Sequence, residues 1–585
     1  MRLSDLLALA CVVHYAFAIG FLNSPLSRDL HLAAALGLDA DSVLLNPVNF
    51  HQTIEKSVSI SVTPEYVSIP IDHDNYTLGT YQNRYWVSTK YYKPGGPVFV
   101  YDVGETSAES SARSMLSSDS TFVGSLLKDF GGIGIVWEHR YYGESLPMGP
   151  VDLDTPIENF KYLTNHQALF DIPHFASNFQ RSDILDEDLS PKGTPWVMLG
   201  GSYSGMRAAF TRNQFPDTIY AAYASSAPVQ AKVDMGVYFE QVYRGMVANG
   251  YQGCAHDLHA AMVYVDSQLA RNGSASEAVK SLFLGEGGKR NSNGDFTSAL
   301  GYIYGTFQAY GMGGGESSLG ALCDWMEALP NASRANSSRA GRRNNSTESN
   351  NGTLPTSATS TGWAPFVGKK IVAERFASWP QLIPLINGYS STECGKDVSD
   401  FESCDLGTRM DDSDSISWMW QYCSQFGFFQ QDNINPNPTH GLLSTHQTLA
   451  YNQEVCNRQF PGAVENGLLP PSPAAEQTNQ ETGGWTIRPS NTYWSGGEFD
   501  PWRPLSPLST EDFAPNFVTF RTNTPVCGRK TARRELFGYV MKNAMHCFDL
   551  NMRFEEGALS RGFFTDALRE WLSCWKKQKR SVWIA

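Results

Sequence analysis

Short runs rich in β-branched and aromatic residues begin at Tyr66-Val67-Ser68-Ile69-Pro70-Ile71. They recur at Asn83–Ser88 and Pro97–Tyr101, each bounded by turn residues, which predicts three strands. The period then changes. A helical stretch near Ser111 to Phe130 leads into a strand over Gly134–His139, and a helix around Thr164 to Phe179 leads into the apolar run Trp196–Leu199. Ile219–Val229 reads as the next central strand. Strands alternating with helices predict an α/β fold, with a parallel or mixed sheet covered on both faces.

From about Gln230 to Asn466 the pattern gives way to helices and loops that hold most of the cysteines, as expected of a mostly helical insertion over the sheet. Within it, residues 331–362 are dominated by Asn, Ser, Thr, Arg and Gly and cannot bury enough apolar surface to fold alone, which predicts a flexible loop. Sheet-like patterning returns near Ile487–Trp494 and Phe517–Thr519, and apolar residues at helical spacing over Phe563–Trp575 predict a docked core helix. The expected organisation is a first sheet half over 66–229, the insertion over 230–466 and a second sheet half over 467–585. Residues 19–65 show no clear pattern and leave room for a propeptide.

Composition narrows the class. With 585 residues the chain exceeds one core of about 250 to 300 residues, and a net charge of −14 argues against nucleic acid as a partner. Arg2, the apolar run Leu6–Ala18 and the small-x-small Ala16-Phe17-Ala18 read as a signal peptide over residues 1–18. That run is shorter than the roughly 20 residues that span a bilayer, so no membrane anchor is expected. Secretion agrees with seven Asn-x-Ser/Thr sequons, at Asn75, Asn272, Asn331, Asn336, Asn344, Asn345 and Asn351. It also agrees with nine cysteines beyond Cys11, an odd count that predicts disulfides and at least one free thiol. No paired Cys-x-x-Cys spacing supports zinc, and Asp411-Asp412-Ser413-Asp414 is read as a solvated loop rather than a calcium site, so no metal or cofactor is expected. Both a monomer and a homodimer stay open.

The chemistry concentrates where Val197-Met198-Leu199 breaks into Gly200-Gly201-Ser202-Tyr203-Ser204-Gly205 and a helix resumes at Met206. A strand, a tight turn of small residues and a helix present one serine on a sharp corner, as in the nucleophile elbow of α/β hydrolases. Gly200 and Ser202 meet the Gly-x-Ser-x-Gly pattern, Ser204 replaces its last glycine, and centring on Ser204 instead fits worse. A serine hydroxyl needs a base, and the base needs an orienting carboxylate, in the chain order nucleophile, acid, histidine. Asp500 follows a predicted strand, and among the histidines after Ser202 only His546 lies beyond it. Read alone, Asp500 is also compatible with a turn aspartate before Pro501, and His546 with a core histidine.

Five segments add a resemblance: Glu138–Pro147, Gly200–Gly205, Ala224–Pro228, Trp420–Gln430, and Asp500-Pro501-Trp502 followed by His546. The chain resembles the family of proline-selective serine peptidases that includes lysosomal Pro-X carboxypeptidase, dipeptidyl peptidase II, thymus-specific serine protease and fungal acid prolyl endopeptidases. The resemblance implies an α/β-hydrolase fold with a helical cap, and peptide substrates cleaved after proline or a small residue. It implies Ser202 as nucleophile, Asp500 as acid and His546 as base. Backbone N–H groups of Tyr203 and Glu105 would form the oxyanion hole, and Met206 and Trp502 would line an apolar proline pocket. His139 and Arg140 are expected to hold structure beneath the site. The chain departs from the family in the 46 residues between Asp500 and His546, a gap carrying Arg529, Lys530, Arg533 and Arg534 and expected to loop over the surface. Gly496-Gly497 also stands where Asn-Gly is usual. An esterase or lipase on the same fold, or an inactive secreted binding protein, are the alternatives.

Overall fold

A computed structural model of the chain describes residues 25–36, 38–44, 50, 62–328, 360–431, 440–515 and 518–582. The expected signal peptide, the low-complexity stretch up to residue 359 and five of the seven sequons lie outside the described residues. Asn75 and Asn272 are both exposed.

Nine strands form one sheet: β1 (Glu65–Pro70), β2 (Thr80–Ser88), β3 (Val98–Asp102), β4 (Ile133–Trp137), β5 (Trp196–Gly201), β6 (Ile219–Ser225), β9 (Thr492–Gly497), β10 (Thr519–Arg521) and β11 (Glu535–Met541). Their spatial order is β1-β2-β4-β3-β5-β6-β9-β11-β10. The β1–β2 and β2–β4 pairings are antiparallel and all later ones parallel. The central strands are buried along their whole length because helices cover both faces. Alternation sorts their side chains. Phe99, Tyr101, Val197 and Leu199 pack with Phe122, Leu127, Phe564 and Trp571 on one face. Val98, Val100 and Met198 pack with Ile172, Phe175 and Ala208 on the other.

After β6 the chain leaves the sheet, and it rejoins only at β9. Between them lie a two-stranded parallel ribbon, β7 (Lys232–Asp234) with β8 (Gly427–Phe429), and a layer of helices with its own large core. Three disulfides lock this cap, Cys254–Cys323, Cys394–Cys404 and Cys423–Cys456, and Cys527–Cys574 ties the β10–β11 connection to the last helix. Cys547 is the free cysteine among the described residues, and it is buried.

Several expectations change. The single helix near Ser111 to Phe130 is two helices, Glu109–Ser117 and Phe122–Phe130. The break is imposed by Thr121, whose hydroxyl caps the Gly124 N–H at 3.0 Å, and by Gly124, where a Cβ would come 1.8 Å from the Ser118 carbonyl oxygen. The runs Gly134–His139 and Ile219–Val229 leave the sheet at Trp137 and Ser225, where the chain turns to build the site. The run expected over Ile487–Trp494 enters the sheet only at Thr492. The 500–546 gap carries β10 and β11 as well as an exposed basic connection. Asp411–Asp414 is not a solvated loop: Asp412 caps the helix Ser413–Gln421 and pairs with Arg28, and Asp414 is buried. Residues of the 19–65 segment also take part, since helix Pro25–Leu36 buries Leu26, Leu30 and Ala33.

Candidate active site

Ser202 stands between β5 and the helix Tyr203–Gln214 with φ +58° and ψ −124°, a conformation that non-glycine residues rarely adopt. The surroundings hold it there. The Ser202 N–H donates to the Ser225 carbonyl of β6 at 2.9 Å, and its own carbonyl accepts the Met206 N–H at 3.0 Å. The glycines are steric necessities: a Cβ on Gly200 would lie 2.3 Å from the Ser204 backbone, and one on Gly205 2.6 Å from the Ser225 oxygen. The second close approach therefore falls at position 205 rather than 204. Ser204 is free to be a serine, and its hydroxyl turns back to donate to the Gly201 carbonyl at 2.9 Å.

Asp500 and His546 arrive from the turns after β9 and β11. These neighbouring parallel strands have stitched ends, with Glu498 N–H on the Met541 carbonyl at 2.9 Å and Phe499 N–H on the Ala544 carbonyl at 3.0 Å. His546 Nδ1 lies 2.8 Å from Asp500 Oδ1, which also accepts the Trp502 N–H at 2.8 Å. Both side chains are buried. Burial by itself favours the neutral imidazole, but the Asp500 charge outweighs it and raises the His546 pKa well above its usual range. Its Nε2, the atom that would face a nucleophile, has no hydrogen-bond partner. The turn meets the elbow through the next residue. Cys547 Sγ lies 3.1 Å from the position of a Cβ on Gly201, and the Cys547 N–H donates to Ser226 Oγ at 2.9 Å.

Tyr203 is locked by its phenol, which contacts His139 Nε2 at 3.0 Å and accepts from Gln421 Nε2 at 2.7 Å. Gln421 in turn accepts the Tyr142 hydroxyl at 2.5 Å. The loop after β3 is anchored at three points. Asp102, ion-paired with Arg207 of the elbow helix, accepts the Gly104 N–H at 3.0 Å. Asp414 accepts the Ser107 N–H at 2.9 Å, and Glu138 accepts the Ala108 N–H at 2.9 Å. Glu138 also receives Arg84 Nη2 at 2.7 Å, the Glu144 N–H at 3.0 Å and the Ser145 hydroxyl at 2.9 Å. Arg140 forms a buried bidentate pair with Asp171, at 2.8 and 2.6 Å. The Glu138–Pro147 segment thus anchors the loop that carries Glu105.

Met206 and Trp502 are both fully buried in the same apolar cluster. Trp502 packs edge-on against Phe428 at 5.1 Å and Tyr238 at 5.8 Å, with its indole N–H on Gln308 at 2.9 Å. The structure therefore brings Ser202, Asp500, His546, Tyr203 and Glu105 to the C-terminal ends of β3, β5, β9 and β11. Sequence reasoning missed Glu138, Gln421, Asp102, Arg207 and Asp414 as supports. Their signal was present for Glu138 and Gln421, which lie in the conspicuous segments 138–147 and 420–430, but tertiary contacts, 307 residues apart between Ser107 and Asp414, leave no local pattern.

A sheet in which β2 alone runs against otherwise parallel strands, with a strained serine between a central strand and its helix, defines an α/β hydrolase. Residues 70–359 and 374–520 match the serine carboxypeptidase S28 family, and the chain belongs to it. It is a serine-type peptidase. It is 26% identical over 473 residues to a probable extracellular serine carboxypeptidase of Arthroderma benhamiae, an alignment covering 77% of this chain and 60% of that protein. It is 27% identical to the serine protease vicPb of Bipolaris victoriae, over 83% of each chain. It is also 27% identical to the thymus-specific serine protease of Mus musculus, over 94% of this chain and 98% of that one. Among solved structures, the proline iminopeptidase of Mycobacterium smegmatis matches at 11% identity with a TM-score of 0.29, over 86% of this chain and 98% of that one, too distant to bear on function.

Proposed function

We propose that the chain hydrolyses peptide bonds through an acyl-enzyme on Ser202, on the C-terminal side of proline or a small residue. Ser202 Oγ attacks the carbonyl carbon while His546 Nε2 takes its proton, and Asp500 steadies the resulting imidazolium. His546 then protonates the leaving amine, and water repeats the cycle to release the acid. The N–H groups of Tyr203 and Glu105 receive the oxyanion. The observation that carries this reading is the buried 2.8 Å Asp500–His546 contact beside a serine held at φ +58°.

The preference for proline is supported by the apolar, aromatic surroundings of Trp502. A pyrrolidine ring offers no N–H donor and is recognised by shape and aromatic contact. A secreted or lysosomal/vacuolar location is supported by the apolar N-terminal run and the four disulfides. No described helix is long and apolar enough to cross a membrane. Cleavage of a peptide library by wild type and Ser202→Ala tests both parts. Cuts after proline or small residues that vanish in a folded Ser202→Ala support the proposal, and a variant with full activity refutes it.

A further inference from the structure

Asp549, three residues past His546, is fully buried, and hydroxyls from two strands converge on its carboxyl group. Its Oδ1 accepts the Ser225 hydroxyl at 2.6 Å, and its Oδ2 accepts the Tyr223 hydroxyl at 2.5 Å together with that of Ser495. Tyr223 and Ser225 belong to β6 and Ser495 to β9. The backbone of Asp549 is held as well, because Arg561 of the last helix donates to its carbonyl at 2.5 Å and to that of Asn551 at 3.1 Å. A buried carboxyl is costly unless its hydrogen bonds are made, and an apolar side chain would fill the space without that cost. What the carboxyl adds is direction, since it fixes three groups on two strands relative to one turn.

Those strand ends also carry the corner that presents Ser202. The Ser225 carbonyl holds the Ser202 N–H at 2.9 Å, the Ser226 N–H donates to the Ser495 carbonyl at 2.8 Å, and Ser226 Oγ takes the Cys547 N–H at 2.9 Å. Ser226 at φ +45° and Cys547 at φ +57° are non-glycine residues in left-handed conformations, which persist only where the surroundings impose them. The turn closes with the Leu550 N–H on the Cys547 carbonyl at 3.0 Å, and it rests on the residue before Ser202. Cys547 Sγ and Leu550 Cδ1 lie 3.1 and 2.9 Å from the position of a Cβ on Gly201. His546 is thus tied on both sides, to the turn after β9 through the Ala544 carbonyl before it and to β6 and β9 through Asp549 after it.

We infer that Asp549 is a positioning residue, whose carboxyl locks the turn carrying His546 in register with the strand ends that hold Ser202. The inference rests on the acyl-transfer reading of Ser202 and His546. Asp500 orients the imidazole through Nδ1, whereas Asp549 sets where the turn sits relative to the elbow. Asp549 touches no reacting atom and exchanges no proton. In acyl transfer the Ser202 hydroxyl proton passes to His546 as the Oγ–carbon bond forms. A base displaced by about 1 Å slows that step about a hundredfold, and ground-state binding of the peptide is left as it was.

The test measures kcat, KM and the rate of fluorophosphonate labelling for the full secreted chain, Asp549→Ala, Asp549→Asn, Ser495→Ala and Tyr493→Phe, with Tm as the check on folding. Asp549→Ala is expected to lose about 10²-fold in kcat and in labelling rate with little change in KM. Asp549→Asn keeps the shape and can still bond the hydroxyls, because a hydroxyl accepts as well as donates, so it recovers most of that loss. Ser495→Ala removes one of the three bonds and shows a smaller loss of the same kind. Tyr493→Phe deletes another buried hydroxyl bond of β9, to Ser560 Oγ at 2.9 Å, but none to the turn, so it lowers Tm and leaves kcat unchanged. A folded Asp549→Ala with wild-type kcat, an Asp549→Asn as impaired as Asp549→Ala, or a Tyr493→Phe that loses as much kcat as Ser495→Ala overturns the inference. If Asp549→Ala is not secreted, Ser495→Ala decides: a reduced kcat at unchanged KM supports the inference, and a wild-type kcat overturns it. A wild-type protein that neither cleaves peptides nor reacts with a fluorophosphonate overturns the acyl-transfer reading and this inference with it, whereas a reactive wild type beside an unaffected Asp549→Ala overturns the inference alone.

Discussion

Replacing Asp500 with Asn changes charge but not shape, which makes it the sharpest perturbation of the site. Asp500 Oδ1 accepts both the Trp502 N–H and the His546 ring N–H at 2.8 Å, and an Asn carbonyl can accept the same two bonds. The carboxamide nitrogen then occupies the place of Oδ2, which has no partner to lose. Folding should survive, and what disappears is the negative charge beside the imidazolium. At about 4 Å between charge centres and an effective dielectric constant of about 20, that charge stabilises the imidazolium by about 4 kcal/mol. At about 1.4 kcal/mol per factor of ten, kcat should fall about a thousandfold.

The pH dependence has a definite sign. The Asp500 charge raises the His546 pKa above the ordinary value of about 6.5, so the wild-type acid limb lies above that pH, and Asp500→Asn moves it lower. The pair's contribution to stability is fully present below about pH 6.5 and fades as pH rises through the raised pKa, so the variant's loss of Tm is largest at acid pH. Both quantities are read from kcat/KM on an X-Pro anilide across pH and from thermal melts. An Asp500→Asn enzyme that keeps a tenth or more of wild-type kcat, or an unmoved acid limb, refutes the reasoning.

Three further outcomes are expected. Although burial alone would raise it, the Asp171 pKa is lowered to about 2, chiefly by Arg140, so this pair's stabilisation persists above about pH 4 and is lost as pH falls through about 2. Arg140→Ala leaves Asp171 buried without its cation and should cost about 3–5 kcal/mol, read as a large fall in Tm or in secreted yield. Gly205→Ala forces a Cβ to within 2.6 Å of the Ser225 carbonyl and should displace the elbow, abolishing activity measured on peptides without abolishing secretion. Titration with a thiol reagent should find no reactive thiol in the native secreted protein and one, Cys547, after denaturation without reductant.

The α/β class was legible because it rests on local rules. Buried parallel strands such as Val98–Asp102 and Ile133–Trp137 read as continuous apolar runs, and the small-residue corner Gly200–Gly205 follows from backbone contacts that a Cβ would block. β11 escaped notice because its run Leu536–Met541 follows a basic, exposed connection and contains Gly538, whose Cβ would meet the Trp494 carbonyl at 2.5 Å. Asp412 and Asp414 misled for a different reason. An acidic run looks solvated, but here one carboxylate caps a helix against Arg28 and the other holds the loop after β3, through partners 384 and 307 residues away. The supports of the candidate site, Glu138, Gln421 and Arg207, are likewise set by tertiary contacts. The sequence shows that these residues exist but not what they touch.

The account depends most on Ser202 being the acylated residue, and mass-spectrometric mapping of a fluorophosphonate adduct on the active secreted protein tests that directly. A single modification on Ser202, absent when inhibitor is added after denaturation, is the predicted result. An adduct on Ser204 or on a serine elsewhere, in a preparation whose peptidase activity the reagent abolishes, contradicts it.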